Sequence, residues 1–225
     1  MSRSKGTSTM IPVLAVVVSI MSLSVITGRH AAWQDFFFGQ EQPTGWSQPA
    51  EPNPAGGTVP EYSRAEFGQR WADVDHNGCD TRNDILNRDL TDVTHKAGTH
   101  GCVVLTGVLE DLYTGQTIWF TRGQGTSEEV QIDHVVPLAY AWKHGASTWT
   151  AQQRLMFAND PGNLLAVSGH ENQSKGDKGP NAWMPPNQAA WCVYATKFTT
   201  VATMYGVDVP EADMAVLDSV LAGCE

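Results

Sequence analysis

Residues 131–179 constrain the fold more than any other part of the chain, because short apolar runs alternate there with polar residues in a pattern that few folds accommodate. The run from Val130 to Val136 predicts a β-strand, and the proline that follows it ends the strand. Residues 164–167 predict a second, shorter strand. Ser168 and Glu171 predict a capping box, so a helix should start there. The expected local order is strand, strand and then helix.

Polar residues at the ends of these elements are of the types that phosphodiester hydrolysis requires. A histidine titrates near neutrality and suits a general base, while carboxylate and amide oxygens suit Mg²⁺. Neighbouring residues on a strand point to opposite faces, so Asp133 and His134 share one site only if the strand ends or twists there. The candidate site residues are Asp133, His134, Asn163, Asn172 and Lys175.

The segments IDHVVPLAYAW, FANDPGNLLAV and NQSKGDKGP closely resemble the HNH endonucleases of the ββα-metal superfamily. They are most similar to small exported actinobacterial HNH nucleases, which share this module with GmrSD-type restriction enzymes. The likeness extends upstream to GCDTRNDILNRDLT and downstream to the last cysteine. It implies an α+β fold with a ββα-metal core, an additional β-hairpin and flanking C-terminal helices, stapled by disulfides.

The resemblance also implies a role for each catalytic candidate. Asp133 and Asn172 would hold Mg²⁺, or Mn²⁺ or another divalent cation in its place, and His134 would activate water. Asn163 would pin the loop that orients the histidine. The third signature position holds Asn172 rather than histidine, a common variation in this superfamily. The implied activity is that of a metal-dependent endonuclease.

Three basic residues are candidates for substrate binding. Lys175 and Lys178 lie where free helical N–H groups favour anions, although a solvated surface turn is the alternative. Arg82, in the segment CDTRND, is a candidate for a second phosphate contact. A structural salt bridge from Arg82 to Asp80 or Asp84 explains its presence equally well.

The charge of the chain argues against tight binding of nucleic acid by its surface as a whole. The formal net charge is -10, whereas Lys and Arg contacts to phosphate normally supply non-specific affinity. A nuclease of this composition must depend on a metal ion and on a local basic patch. We expect a monomer that acts on nucleic acid, with DNA of little sequence preference as the favoured substrate.

The N-terminal composition predicts three regions. Arg3 and Lys5 precede an apolar run at residues 10–26, so residues 1–28 read as an export signal that is either cleaved or kept as a membrane anchor. Residues 29–60 are rich in Pro, Gly and Gln and read as a flexible linker, and residues 61–225 form the nuclease domain. The domain would be secreted or anchored to the outer face of the cell membrane.

The four cysteines, Cys79, Cys102, Cys192 and Cys224, fit disulfides in an exported protein, and no C-x-x-C pair favours zinc. Two helices are predicted near the C-terminus, at 187–205 and after Pro210. If they pack antiparallel, Cys192 and Cys224 meet, which leaves Cys79 with Cys102. We predict this pairing.

Other elements follow from the same kinds of pattern. Apolar runs at 103–109 and 116–121 predict a hairpin. Capping boxes predict a short helix from Ser63 to Trp71 and another helix from Thr150 to about Asn159.

An acidic segment at residues 73–84 supports a competing interpretation. Most positions match an EF-hand loop, but the last ligand is Asp rather than Glu, and Asp80 stands where an aliphatic residue is usual. The default interpretation is therefore a tight Asx-rich turn. The alternative function is an envelope-tethered, non-catalytic binding protein that holds calcium in this loop. The matching residues are Asp73, Asp75, Asn77, Gly78 and Asp84.

Overall fold

The computed structural model describes residues 58–224. The predicted export signal or anchor, its apolar run at 10–26 and nearly all of the predicted linker lie outside the described residues. Within 58–224, no helix combines the length and apolar character needed to cross a bilayer.

The described chain is an α+β domain with two small antiparallel sheets, as predicted. Four short 3₁₀ turns lie between the longer elements of the described residues. They are Arg64–Phe67, Ala146–Thr148, Pro161–Asn163 and Gln188–Ala190. In chain order those elements are α1 (Thr81–Asp89), β1 (Thr91–His95), β2 (Val104–Glu110), β3 (Thr117–Thr121), β4 (Val130–His134), α2 (Leu138–Lys143), α3 (Ala151–Asn159), β5 (Leu164–Ser168), α4 (Gly169–Lys175), α5 (Trp191–Tyr205) and α6 (Glu211–Leu221).

The first sheet has the order β1-β2-β3. Strands β2 and β3 form the predicted hairpin, with a regular register from Thr106 opposite Thr121 to Glu110 opposite Thr117. Strand β1 and helix α1 were not predicted, since neither has a clear apolar period. Helix α1 begins instead with a side-chain cap, because the Asp80 carboxylate accepts the Asn83 N–H at 2.9 Å.

The second sheet pairs β4 with β5, and α4 follows directly, so the predicted order of two strands and a helix is confirmed. The register runs from Val130 opposite Ser168 to His134 opposite Leu164. The predicted capping box at Ser168 is wrong: its side chain caps nothing in α4. Ser168 still belongs to β5, and its N–H donates to Asp111 Oδ1 at 3.0 Å.

The capping box at the start of α3 is confirmed, with Thr150 and Gln153 each bonding the other's backbone N–H. The helix predicted from Ser63 to Trp71 is only the 3₁₀ turn Arg64–Phe67. It ends at Gly68, whose φ of 70° leaves the helical region.

Both predicted disulfides are present: Cys79–Cys102 and Cys192–Cys224, with Cα atoms 5.1 Å and 5.7 Å apart. The second bridge joins the start of α5 to the chain just after α6, as expected for antiparallel helices. Helix α5 ends at Gly206, which is left-handed with φ 63°. The α5–α6 pair covers the aromatic core that supports β4, α2 and α3, which includes Phe157, Tyr194, Phe198 and Tyr205.

Candidate active site

A cavity of about 490 Å³ opens where β4 ends beside α4. Asp133 and His134, which are neighbours in β4, and the distant Asn172 of α4 all line it, as their predicted joint action requires. Three arginines line the same cavity: Arg64, Arg70 and Arg82.

The strand end explains how adjacent residues serve one cavity. Asp133 and His134 are the last two residues of β4, and His134 still pairs with Leu164, so both lie at the end of the strand where the cavity opens. The Asp133 side chain turns inward and is 4% exposed, while His134 is partly exposed. Asp133 therefore lies at the buried base of the cavity lining, and His134 lies nearer the solvent.

One hydrogen bond sets the tautomer of His134. Its Nε2 lies 2.9 Å from the Ala158 carbonyl oxygen, which can only accept. Nε2 therefore carries the proton, and Nδ1 keeps a free lone pair. Desolvation lowers the pKa of His134 to about 4, and the positive charges of Arg64 and Lys175 act in the same direction. The imidazole is thus neutral at neutral pH, the form a general base requires.

Trp71 covers one side of this histidine. The two rings are stacked, with centroids 6.0 Å apart and planes 11° from parallel. Trp71 has φ 57°, a left-handed conformation that costs a non-glycine residue roughly 1–3 kcal/mol. Such strain persists only where surrounding structure enforces it, and here it places an aromatic ring on the candidate base.

The Asn163 carboxamide fastens the chain just beyond the histidine. Its Oδ1 accepts the Val136 N–H at 2.8 Å, and its Nδ2 donates to the Val136 carbonyl at 3.2 Å. The Asn163 backbone carbonyl also accepts the Val135 N–H at 2.8 Å. These are the contacts that the predicted loop-pinning role requires. Asn163 is fully buried, so water cannot replace them.

Replacing Asn163 with aspartate tests the hydrogen bonds of this side chain without changing its size. Asn163→Asp keeps the side-chain volume but sets a carboxylate oxygen against the Val136 carbonyl in a buried place. We expect a loss of about 1–3 kcal/mol of unfolding free energy, measured by urea denaturation, together with lower catalytic activity. The exposed Asn181→Asp is the control, and equal stability of the two variants would contradict the pinning role.

The Asp133 carboxylate is enclosed in a charged hydrogen-bond network. The Lys175 ammonium donates to Oδ1 at 2.9 Å and to Oδ2 at 2.7 Å, and the Tyr113 hydroxyl donates to Oδ2 at 2.5 Å. Lys175 also donates to the His134 carbonyl at 2.6 Å. Burial raises the pKa of Asp133 and lowers that of Lys175, and each partner's charge opposes the shift of the other.

The structure corrects the setting predicted for two lysines. Lys175 is 0% exposed and holds Asp133, so its ammonium does not reach an open phosphate-binding surface. Lys178 is exposed but bonds the Ser174 carbonyl, and it does not line the cavity. Arg82 does line the cavity, and it forms no ion pair with Asp80 or Asp84.

The cavity is locally cationic although the protein is acidic. Its two carboxylates are neutralised, since Asp133 pairs with Lys175 and Asp177 with Lys143 at 2.7 Å. Within residues 58–224, none of the three lining arginines forms an ion pair. This is the local basic patch that the charge argument requires.

The acidic loop at 73–84 uses its carboxylates internally. Asp73 accepts the N–H groups of Asn77 at 3.1 Å and Gly78 at 3.0 Å. Asp75 and Asp84 accept from the Asn77 side chain. Over the described range, no group of three or more His, Cys, Asp or Glu side chains is placed to hold a metal ion. The loop has the form of the default Asx-rich turn.

Comparison with known proteins places the chain in a family. Residues 80–217 match the model of the family described as GmrSD restriction endonucleases, C-terminal domain. The chain belongs to this GmrSD family. The family relates the chain to nucleases at a coarse level.

A fungal relative shares much of the GmrSD-family chain. An uncharacterized secreted protein of Arthroderma benhamiae is 40% identical over 165 residues, which is 72% of this chain and 76% of that protein. No solved structure matches the chain.

Several residues that line or support the cavity were missed by sequence reasoning, and some lie outside the GmrSD match. Arg64, Arg70 and Trp71 precede residue 80, where the match begins. Tyr113, the phenol that bonds Asp133, comes from the turn after β2. Only tertiary contacts bring these residues to β4. The one local signal was the density of basic and aromatic residues in SRAEFGQRW.

Proposed function

We propose that the protein is an exported, metal-dependent HNH endonuclease that hydrolyses phosphodiester bonds of nucleic acid. The observation that carries this proposal is the convergence of Asp133, His134 and Asn172 on one cavity lined by three arginines. The hydrogen-bonding role of Asn163 and the order β4, β5, α4 support the HNH assignment.

His134 is the proposed general base. The Ala158 carbonyl holds its Nε2–H, so a water at Nδ1 can lose a proton to the free lone pair. Trp71 and the pinned loop after β4 restrict rotation of the ring. The water would then attack phosphorus in line with the departing 3′ oxygen.

Asp133 and Asn172 fit a divalent cation by the chemistry of their free oxygens. Among side-chain donors, two bond Oδ2 of Asp133 and one bonds Oδ1, so Oδ1 is the oxygen better suited to a cation. Asn172 Nδ2 donates to Gln131 Oε1 at 2.8 Å, which orients the amide and leaves its Oδ1 without a partner among the described residues.

Two protein oxygens suit Mg²⁺, which retains several waters, and Mn²⁺ or another divalent cation fits the same donors. A bound cation would supply positive charge to the scissile phosphate and to the leaving oxygen. The nearby Lys175 ammonium already neutralises most of the Asp133 charge, so we expect metal affinity to be modest.

The substrate and location follow from the surroundings of the site. An unpaired cationic lining favours a polyanion bound through its phosphates, which carry no sequence information, so we favour DNA cleaved with low sequence specificity. The fungal relative is named as secreted, and two disulfides fit an oxidising compartment. We propose that the protein acts as a monomer, secreted or anchored to the outer face of the cell membrane.

A plasmid-nicking assay tests the proposal. Supercoiled DNA should be converted to nicked and linear forms in Mg²⁺, should stay intact in EDTA, and should be cut again when Mg²⁺ or Mn²⁺ is restored. Cleavage that persists in EDTA would contradict metal dependence. Binding of calcium by residues 73–84 without any cleavage would favour the envelope-binding alternative, which no contact in the described structure now supports.

A further inference from the structure

The chain before the GmrSD match forms one wall of the cavity. We call residues 60–72 the strap. It contributes Tyr62, Arg64, Arg70 and Trp71 to the cavity lining, whereas the GmrSD match begins only at residue 80. Two of the three lining arginines are therefore supplied from outside the part of the chain that defines the family.

The strap is fastened to the domain along its whole length. Near its start, Trp142 Nε1–H donates to the Pro60 carbonyl at 2.7 Å. In its middle, Phe67 is fully buried and packs against the Trp142 and Phe157 rings. At its end, the Ala72 N–H donates to Asn159 Oδ1 at 3.0 Å. These contacts make the strap a fixed part of the site.

The two strap arginines line the cavity without a counter-ion among residues 58–224. Arg64 donates to the Gly68 carbonyl at 3.2 Å, and no acidic group among residues 58–224 pairs with either Arg64 or Arg70. The chain has 24 acidic residues and 14 Lys and Arg residues, so carboxylate partners are abundant. Arginines with only a structural role would be expected to use them.

The positive charges of the strap also act on one another and on His134. Burial lowers the pKa of Arg64, and the Arg70 charge acts in the same direction. Burial also lowers the pKa of His134, which Trp71 covers, and the charges of Arg64 and Arg70 add to that effect. Holding like charges together is unfavourable until an anion binds between them. The strap thus provides a binding site for a negatively charged group next to the candidate base.

We propose that the strap is the phosphate-binding wall of the site, and that Arg64 and Arg70 bind backbone phosphates flanking the one that is cut. The proposal rests on the proposed nuclease function and adds its substrate contact. It implies a substrate with several consecutive phosphates, that is, a polynucleotide strand rather than an isolated phosphodiester. Arg82, from α1, contributes a third cation from within the GmrSD domain.

The test measures binding rather than cleavage. The full chain carrying His134→Ala is mixed with a fluorescently labelled DNA duplex in Mg²⁺, and anisotropy is followed over a range of NaCl concentrations. Adding Arg64→Gln or Arg70→Gln should each lower the slope of log K against log salt by about 0.9. Together they should weaken binding by about ten-fold at moderate salt.

A matched control removes one exposed charge elsewhere. Lys96→Gln, just after β1, takes away an exposed cation that does not line the cavity, and it should change affinity by less than about two-fold. Thermal melting of each variant checks the fold. Little change is expected, because Arg64 donates to the exposed Gly68 carbonyl and the Arg70 side chain is exposed.

The outcomes separate the two proposals. If the His134→Ala chain binds DNA but the strap variants keep its affinity and salt slope, the strap proposal is wrong while the nuclease proposal stands. If Lys96→Gln weakens binding as much as Arg70→Gln does, binding follows overall charge and the strap proposal is again wrong. If no variant and no parent chain binds DNA or RNA, both proposals fail.

Discussion

His134→Ala should reduce the rate of DNA cleavage by about 10² to 10⁴ while leaving the protein folded. The substitution removes the one imidazole whose tautomer is fixed with a free Nδ1 at the cavity. The Asp133 and Asn172 oxygens and the three arginines remain, so metal and DNA should still bind. The loss should therefore fall on kcat more than on KM.

The matched control for His134 is His170. It lies two residues before Asn172, its side chain is 86% exposed, and its Nδ1 contacts the Glu171 carboxylate at 2.9 Å. His170→Ala should cleave plasmid at close to the parent rate. If His134→Ala also cleaves at the parent rate, the assignment of the base is wrong. If both variants lose activity equally, the effect is not specific to the cavity histidine.

The elements that sequence predicted are those whose signals are local. Thr150 and Gln153 lie within one helical turn, and the β2–β3 hairpin closes through a short turn, so neighbouring residues fix both. The disulfide pairing could also be predicted from the sequence, because the Cys192–Cys224 bridge follows from two helices joined by a short loop. The positions of Asp133, His134 and Asn172 at one cavity followed from a strand, a return and a helix in sequence order.

The residues that sequence missed depend on long-range packing. Arg64 and Arg70 reach the cavity only because Phe67 is buried between the Trp142 and Phe157 rings. No local sequence pattern predicts that contact, and the short strap has no secondary structure beyond one 3₁₀ turn. A basic residue in a polar segment reads as solvated surface until its neighbours in space are known.

Lys175 shows that a positively charged side chain, recognised from the sequence, can be buried rather than exposed. From the sequence it is one of two lysines in SKGDKGP, and both read as exposed residues near a helix start. In the fold, α4 packs beside β4 and turns Lys175 inward, while Lys178 beyond Gly176 stays outside. Helix register against the sheet determines which lysine is buried, and register is a tertiary property.

Lys175→Met should destabilise the protein severely, because it leaves the Asp133 carboxylate buried without its cation. Breaking a buried ion pair from one side costs about 3–5 kcal/mol, which corresponds to a fall of roughly 10 °C in Tm for a domain of this size. Asp133 would then keep only the Tyr113 hydroxyl among its present side-chain donors. Urea denaturation and differential scanning calorimetry measure the effect.

The double variant Asp133→Asn, Lys175→Met shows how much of the lost stability comes from the unpaired Asp133 charge and how much from altered packing. It removes both members of the pair, and an Asn at position 133 can still accept the Tyr113 hydroxyl, so at least half of the lost stability should return. Cleavage should be absent in the double variant, because the carboxylate proposed to hold the metal is gone. If Lys175→Met is instead as stable as the parent and binds DNA more weakly, the buried pair contributes little to the fold. The phosphate contact first expected of Lys175 would then be its role.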